Sequence, residues 1–240
     1  MKKSDRIPGV FAYVAVLAAV FLVACGSTVS AATYGSTDPP LPGARVYQAV
    51  WRSVLCVGES GECIGTAWVI EPGLAVTAQH VVGKRRTVNV YSAFAGPFPA
   101  TVTTVDVGQD IAVLAFDKNL LNAPPVQTRS LDLLSELGET LYGIGYGGCE
   151  IKDSGGVGAP LIRNGIFSQM PNMGAPLGFN IKTQVPGVPG DSGGPLVDDR
   201  GNVVGMFRSK DMDGVYYYAV TVERIRDLLP RAKVTSAILR

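Results

Sequence analysis

Histidine occurs once in the 240 residues, at position 80. Imidazole is the side chain most readily used to move protons near neutral pH, so one proton-handling task is the most this chain assigns to it. An excess of either charge is also missing. Lys plus Arg (21) almost balances Asp plus Glu (20), and the net charge of +1 offers no electrostatic footprint for nucleic acid. Charged residues make up only 17% against 47% hydrophobic, which excludes a disordered chain and fits a compact core. No internal repeat of 20–50 residues is present, and nothing in the sequence asks for a metal or a cofactor. What the chain has in quantity is glycine (29) and proline (16), the residues that punctuate short strands with turns.

One long apolar run stands at the N-terminus. A basic segment, "MKKSDR", precedes "VFAYVAVLAAVFLVA", and Leu22-Val23-Ala24-Cys25 closes it. This resembles the bacterial lipobox, with residues 1–24 as signal peptide and Cys25 as the lipid-modified first residue. Two other readings stay open. Ser30-Ala31-Ala32 offers an ordinary signal-peptidase site that would release a secreted protein, and Ile7–Gly26 is uncharged and long enough to span a bilayer as an uncleaved anchor. All three put the remaining chain outside the cytoplasm; the first ties it to a membrane through lipid. Residues 25–44 are small, polar and proline-rich, and read as a flexible tether.

From residue 45 onward the pattern is strand after strand. "VYQAVWRSVLCVG", "CIGTAWVI", "LAVTA", "TVNVYSA", "ATVTTVDV" and "IAVLAF" precede a 20-residue connector, and "TLYGIGY", "APLIRNGIFSQ", "FNIKTQV", "GPLV", "NVVGMF" and "VYYYAV" follow it. The expectation is an all-β domain over 45–240 with two six-stranded antiparallel barrels, in lobes of about 45–122 and 138–229. Only "TVERIRDLLPRAK" has a helical pattern, giving a short C-terminal helix. Cys56 and Cys63 flank a turn-like "VGESGE" between strands, and in an oxidising compartment they are expected to pair. Cys149, in a glycine-rich loop, is left as an unpaired cysteine.

"PGDSGGPLV" places Ser192 among glycines that permit the tight turn a backbone anion hole needs. A serine hydroxyl is a weak nucleophile without a base, and His80 in "TAQHVV" is the sole imidazole. Asp110 in "GQDIAVLAF" leads straight into an apolar strand, where an unpaired charge is costly. It is therefore preferred over Asp106 and Asp117 as the carboxylate that orients His80. Gly190–Gly194 also fits the G-x-S-x-G elbow of esterases, but that class needs a histidine after the serine and none follows.

The order His80, Asp110, Ser192 and the three local sequences resemble the chymotrypsin/trypsin-like serine peptidase family over about residues 45–229. The resemblance implies a cleft between the barrels, with Ser192 attacking, His80 acting as base and then acid, and Asp110 holding the imidazole. It also implies an oxyanion hole from the N–H groups of Gly190 and Ser192. An activation sequence of the "IVGG" sort is lacking, which leaves the partner of Asp191 open. The expected activity is that of a membrane-tethered, extracytoplasmic serine endopeptidase acting on protein or peptide. A non-catalytic binding module on the same scaffold is the alternative.

For the primary specificity pocket, the resemblance points to Pro186 near the base and to Arg208, Ser209 and Lys210 on one wall. No carboxylate stands at the base, so a preference for Arg or Lys is not expected. A small or apolar side chain ranks first. An acidic one ranks second, because Asp211 and Asp213 are close enough in sequence to neutralise Arg208 and Lys210.

Overall fold

Short runs of Val, Ile, Thr and aromatic residues, broken by glycine and proline, each become a strand in the computed structural model, which describes residues 42–59, 61–131, 135–152, 156–169, 180–210 and 214–238. The signal segment, Cys25 and tether residues 25–41 lie outside that description.

Six strands build the first barrel: β1 (Val54–Glu59), β2 (Glu62–Glu71), β3 (Leu74–Ala78), β4 (Thr87–Ser92), β5 (Ala95–Asp106) and β6 (Ile111–Ala115). All neighbours are antiparallel, and the order β1-β2-β3-β6-β5-β4 closes through β1 on β4. The second barrel contains β7 (Thr140–Gly145), β8 (Leu161–Gln169), β9 (Asn180–Thr183), β10 (Pro195–Val197), β11 (Val203–Lys210) and β12 (Tyr217–Thr221). Its order is β10-β11-β12-β9-β8-β7, closed by β7 on β10. Closure removes the open edges that would otherwise template aggregation. Leu55, Trp68, Ile111 and Leu114 are fully buried in the first half, and Leu141, Ile181 and Leu196 in the second. Each such side chain contributes about 2 kcal/mol by leaving water.

Cys56 on β1 and Cys63 on β2 are joined in a disulfide, with Cα atoms 5.5 Å apart. A register shift between Val57 and Gly58 brings them together across the hairpin. Cys149 is a free, partly buried thiol. Burial raises its pKa above the ordinary thiol value and the nearby Asp191 adds to the rise.

The sequence reading of residues 46–58 as one strand is corrected. Pro42–Val50 is a helix, α1, followed by a 3-10 turn over Trp51–Ser53. Proline is pre-organised for a first helical turn, and Val46 and Val50, four residues apart, bury one edge of it. Helix α1 therefore takes the last three residues assigned to the tether, and Tyr47 Oη donates to the Pro160 carbonyl at 2.8 Å. The one-turn helix α2 spans Gln79–Val82. Helix α3 runs from Val222 to Ile238, longer than the sequence pattern suggests, with Pro230 inside it on the exposed side. Val222, Ile225, Leu228, Leu229 and Ala232 form the buried face of α3, and Lys233 pairs with Glu71 at 2.8 Å.

Candidate active site

His80 owes its position to a change of structure at the end of β3. The strand is buried throughout, and the chain then turns into α2, whose Val81 and Val82 enter the core while His80 points outward. Gly83, at φ 58°, ends that turn. The His80 side chain remains 49% exposed.

Asp110 occupies the β5–β6 turn at φ 57°, a left-handed conformation that aspartate tolerates better than most residues. This conformation aims its carboxylate at His80 twice. Oδ2 lies 2.7 Å from His80 Nδ1, and Oδ1 accepts the His80 backbone N–H at 2.9 Å. The Asp110 carbonyl also accepts the Gln79 N–H at 3.1 Å. Beside a carboxylate, Nδ1 carries the proton, so Nε2 is left as an acceptor facing away. The neighbouring acids are occupied elsewhere: Asp106 Oδ1 accepts from Gln109 N and Asp117 Oδ1 from Asn119 N, both at 2.9 Å.

Ser192 sits in a loop held at two glycines with positive φ, Gly190 at 98° and Gly193 at 85°. A Cβ on Gly193 would lie 2.2 Å from the Thr66 carbonyl oxygen, so no other residue fits there. Thr66, fully buried on β2, stitches this loop to the first barrel. Its N–H donates to the Ser192 carbonyl (2.8 Å) and its hydroxyl to the Gly190 carbonyl (2.7 Å), while that hydroxyl accepts the Tyr146 N–H at 2.9 Å. From the other side, Gly193 N–H donates to Phe207 O and Phe207 N–H to Gly194 O, both at 2.8 Å. Among the described residues, nothing accepts a hydrogen bond from the N–H of Gly190 or of Ser192. Nor does the Ser192 hydroxyl bond to His80 here, a contact that in ligand-free sites often tightens only with substrate present.

The partner of Asp191 is Arg163. Its Nη1 reaches Oδ2 at 2.9 Å and Oδ1 at 3.1 Å, and the carboxylate also accepts the N–H groups of Gly147 and Val188, each at 2.9 Å. With four hydrogen bonds from three donor groups, Asp191 is saturated at 5% exposure. A cavity of about 220 Å³ opens beside it, walled by Gly187, Val188, Ser192, Phe207, Arg208 and Tyr217 among others. Pro186, expected at the pocket base, is exposed and outside this wall. The wall begins one residue later because Tyr217 Oη binds the Gly187 carbonyl at 2.7 Å and Asp191 binds Val188. Ser209 and Lys210 belong to β11, but their side chains fall outside the description.

Two contributors escaped the sequence reading. Arg163 carried a signal, being the lone charge in "APLIRNGIFSQ". Thr66 in "CIGTAWVI" carried none, because its role is to bond loops remote in sequence.

Residues 65–206 match the trypsin-like peptidase domain family. Serine protease Rv3671c of Mycobacterium tuberculosis is 34% identical over 185 residues, covering 71% of this chain and 43% of that protein. The mitochondrial serine protease HTRA2 of Bos taurus is 29% identical over 176 residues, 70% of this chain and 36% of that protein. The chain spans less than half the length of either relative. The crystal structure of the Rv3671c protease in its active form superimposes with a TM-score of 0.65 at 26% identity, over 81% of this chain and 87% of that one. The HtrA-type protease AlgW, solved with a tripeptide, is similar in fold, with a TM-score of 0.65 at 23% identity over 80% of this chain and 63% of that one.

Proposed function

For a chain that belongs to the trypsin-like peptidase family, we propose the activity of a serine endopeptidase that works through His80, Asp110 and Ser192. The observation that carries this reading is the double grip of Asp110 on His80, at 2.7 Å and 2.9 Å. It fixes one tautomer and leaves Nε2 free to take a proton.

Each step then follows from the local chemistry. The Ser192 hydroxyl attacks the scissile carbonyl carbon and passes its proton to His80 Nε2. Asp110 stays ionised and stabilises the imidazolium. The carbonyl oxygen gains negative charge and meets the unengaged N–H groups of Gly190 and Ser192; one such donor is typically worth about 10²–10³ in rate. Collapse expels the amine, which takes the proton from Nε2, and leaves an acyl-enzyme on Ser192. Water, deprotonated by the same nitrogen, repeats the sequence and releases the acid. Because Arg163 supplies the cation for Asp191, this loop geometry needs no new N-terminus made by cleavage. With Asp191 saturated, the cavity wall has no free carboxylate among its described residues to draw Arg or Lys.

Ser192→Ala and His80→Ala should each cut peptide turnover by at least about 10⁴-fold, with the double variant scarcely worse, because the pair acts as a unit. More than about 1% of wild-type turnover in Ser192→Ala would refute the assignment and favour a binding module.

The site is held at a membrane, outside the cytoplasm, by lipid on Cys25. The lipobox-like Leu22–Cys25 supports this. Stable anchoring needs more than a single short acyl chain. Cys25→Ser should move the protein out of the membrane fraction or leave an uncleaved precursor. Unchanged fractionation and migration would overturn the lipid anchor.

A further inference from the structure

Arg208 follows Phe207 on β11 and contributes to the cavity that holds Ser192. Only 17% of its side chain is exposed, and among the described residues its guanidinium makes no hydrogen bond. Its one ionic neighbour there is Asp110, with Nε 3.9 Å from Oδ2, too long for a hydrogen bond. That oxygen is already taken by His80 Nδ1 at 2.7 Å. A guanidinium presents five N–H donors in a planar fork, and none of the Arg208 nitrogens is sealed from solvent, so they stay open to a group entering the cavity.

The surrounding charges sharpen the point. Asp191, the other ionised side chain in the cavity wall, is saturated by Arg163 and two backbone N–H groups. Gly187, Val188 and Phe207 offer no side-chain acceptor, and the Tyr217 hydroxyl, which donates to the Gly187 carbonyl, accepts no hydrogen bond from Arg208. Asp211 and Asp213, the neutralising partners suggested by sequence proximity, lie outside the described residues. The cavity therefore combines apolar walls with a cation whose donors are unfilled, next to the nucleophile.

We propose that Arg208 is a specificity-determining residue that receives the carboxylate of an acidic side chain flanking the scissile bond. This reverses the ranking made from sequence, in which a small or apolar group comes first. It rests on the peptidase reading above. A bidentate carboxylate would give the guanidinium the partner it lacks, and would bring the substrate backbone to Ser192 with that partner in place.

The test uses the purified full chain and matched quenched peptides that differ only in Glu, Gln, Leu or Lys beside the cleaved bond. At pH 7 the wild type should cleave the Glu peptide about tenfold or more faster than its Gln isostere, measured as kcat/KM. Arg208→Gln should bring that ratio close to one, Arg208→Lys should keep part of it, and Arg208→Glu should invert the Glu-to-Lys preference. A general disturbance of the triad would lower all substrates together and leave the ratio intact. A wild-type Glu-to-Gln ratio at or below one, or an unchanged ratio in Arg208→Gln, overturns the proposal. If no peptide is cleaved, the peptidase reading fails instead. Glu and Gln peptide affinities of the Ser192→Ala protein, with and without Arg208→Gln, then decide the Arg208 proposal alone: equal affinities refute it, and an Arg208-dependent preference for Glu supports it.

Discussion

The two barrels hold their functional groups by different means. In the first, secondary structure does most of the positioning. His80 rides on a one-turn helix that continues a buried strand, and Asp110 is placed by the turn between two paired strands. Among the described residues Asp110 is the buried acid of that barrel, and it is gripped by His80. Among the described residues the second barrel buries two acids, Asp191 and Asp198, and each is clamped by an arginine remote in sequence, Arg163 and Arg129. The loop that carries Ser192 has no regular structure of its own, and depends on Thr66 from the other barrel and on glycines with positive φ. The proposed base is thus held by short-range order, and the proposed nucleophile by long-range polar contacts. The second arrangement should be the more easily broken.

The largest expected break is at Arg163. Arg163→Met leaves Asp191 buried without its cation, a loss of about 3 kcal/mol for a partly buried pair. If the nucleophile loop rearranges to relieve that cost, kcat/KM falls by about 100-fold while the Cys56–Cys63 hairpin and the His80–Asp110 contact persist. Peptide kinetics together with circular dichroism at matched temperature check this. An active, equally stable Arg163→Met protein would show that the ion pair does not hold the loop.

A smaller effect is expected at Asp198, which joins the β10–β11 turn to the connector between the barrels. It accepts from Arg129 Nε at 2.5 Å and from the backbone N–H groups of Arg200 and Asn202. Burial pushes its pKa up, but the hydrogen bonds from Arg129 and Asn202 outweigh burial and hold the carboxyl below its ordinary value. A group whose folded pKa is depressed stabilises the fold above its unfolded pKa, about 4, and loses that contribution as pH falls through the folded value. Asp198→Asn should therefore cost about 2 kcal/mol near neutral pH and flatten the loss of stability below about pH 4. Urea denaturation of both proteins at pH 7 and at pH 3 measures the difference; equal slopes with pH would remove Asp198 from this role.

The same contrast explains how much was legible in the sequence. The barrel strands could be read because Val, Ile and Thr runs between turn residues report local preference. His80, Asp110 and Ser192 stood out through composition: a lone histidine, a charge entering an apolar strand, a serine among glycines. Helix α1 was missed because "VYQAVW" satisfies both strand propensity and an i, i+4 pair, and only its contacts with the second barrel decide between them. Pro186 lies just outside the cavity wall, which begins at Gly187 where Tyr217 and Asp191 bind the loop, contacts that no spacing rule conveys. The Arg163–Asp191 and Arg129–Asp198 pairs join residues 28 and 69 apart, so the sequence shows the charges but not the partners.

The central claim is that Ser192 is a nucleophile because His80, held by Asp110, removes its proton. Fluorophosphonate labelling followed by peptide mass spectrometry tests it most directly, since the probe phosphonylates only an activated hydroxyl. A single adduct on Ser192, formed rapidly in the wild type and lost in His80→Ala, is the predicted result. An unlabelled wild type, an adduct on another residue, or Ser192 labelling at an undiminished rate in His80→Ala would contradict the account.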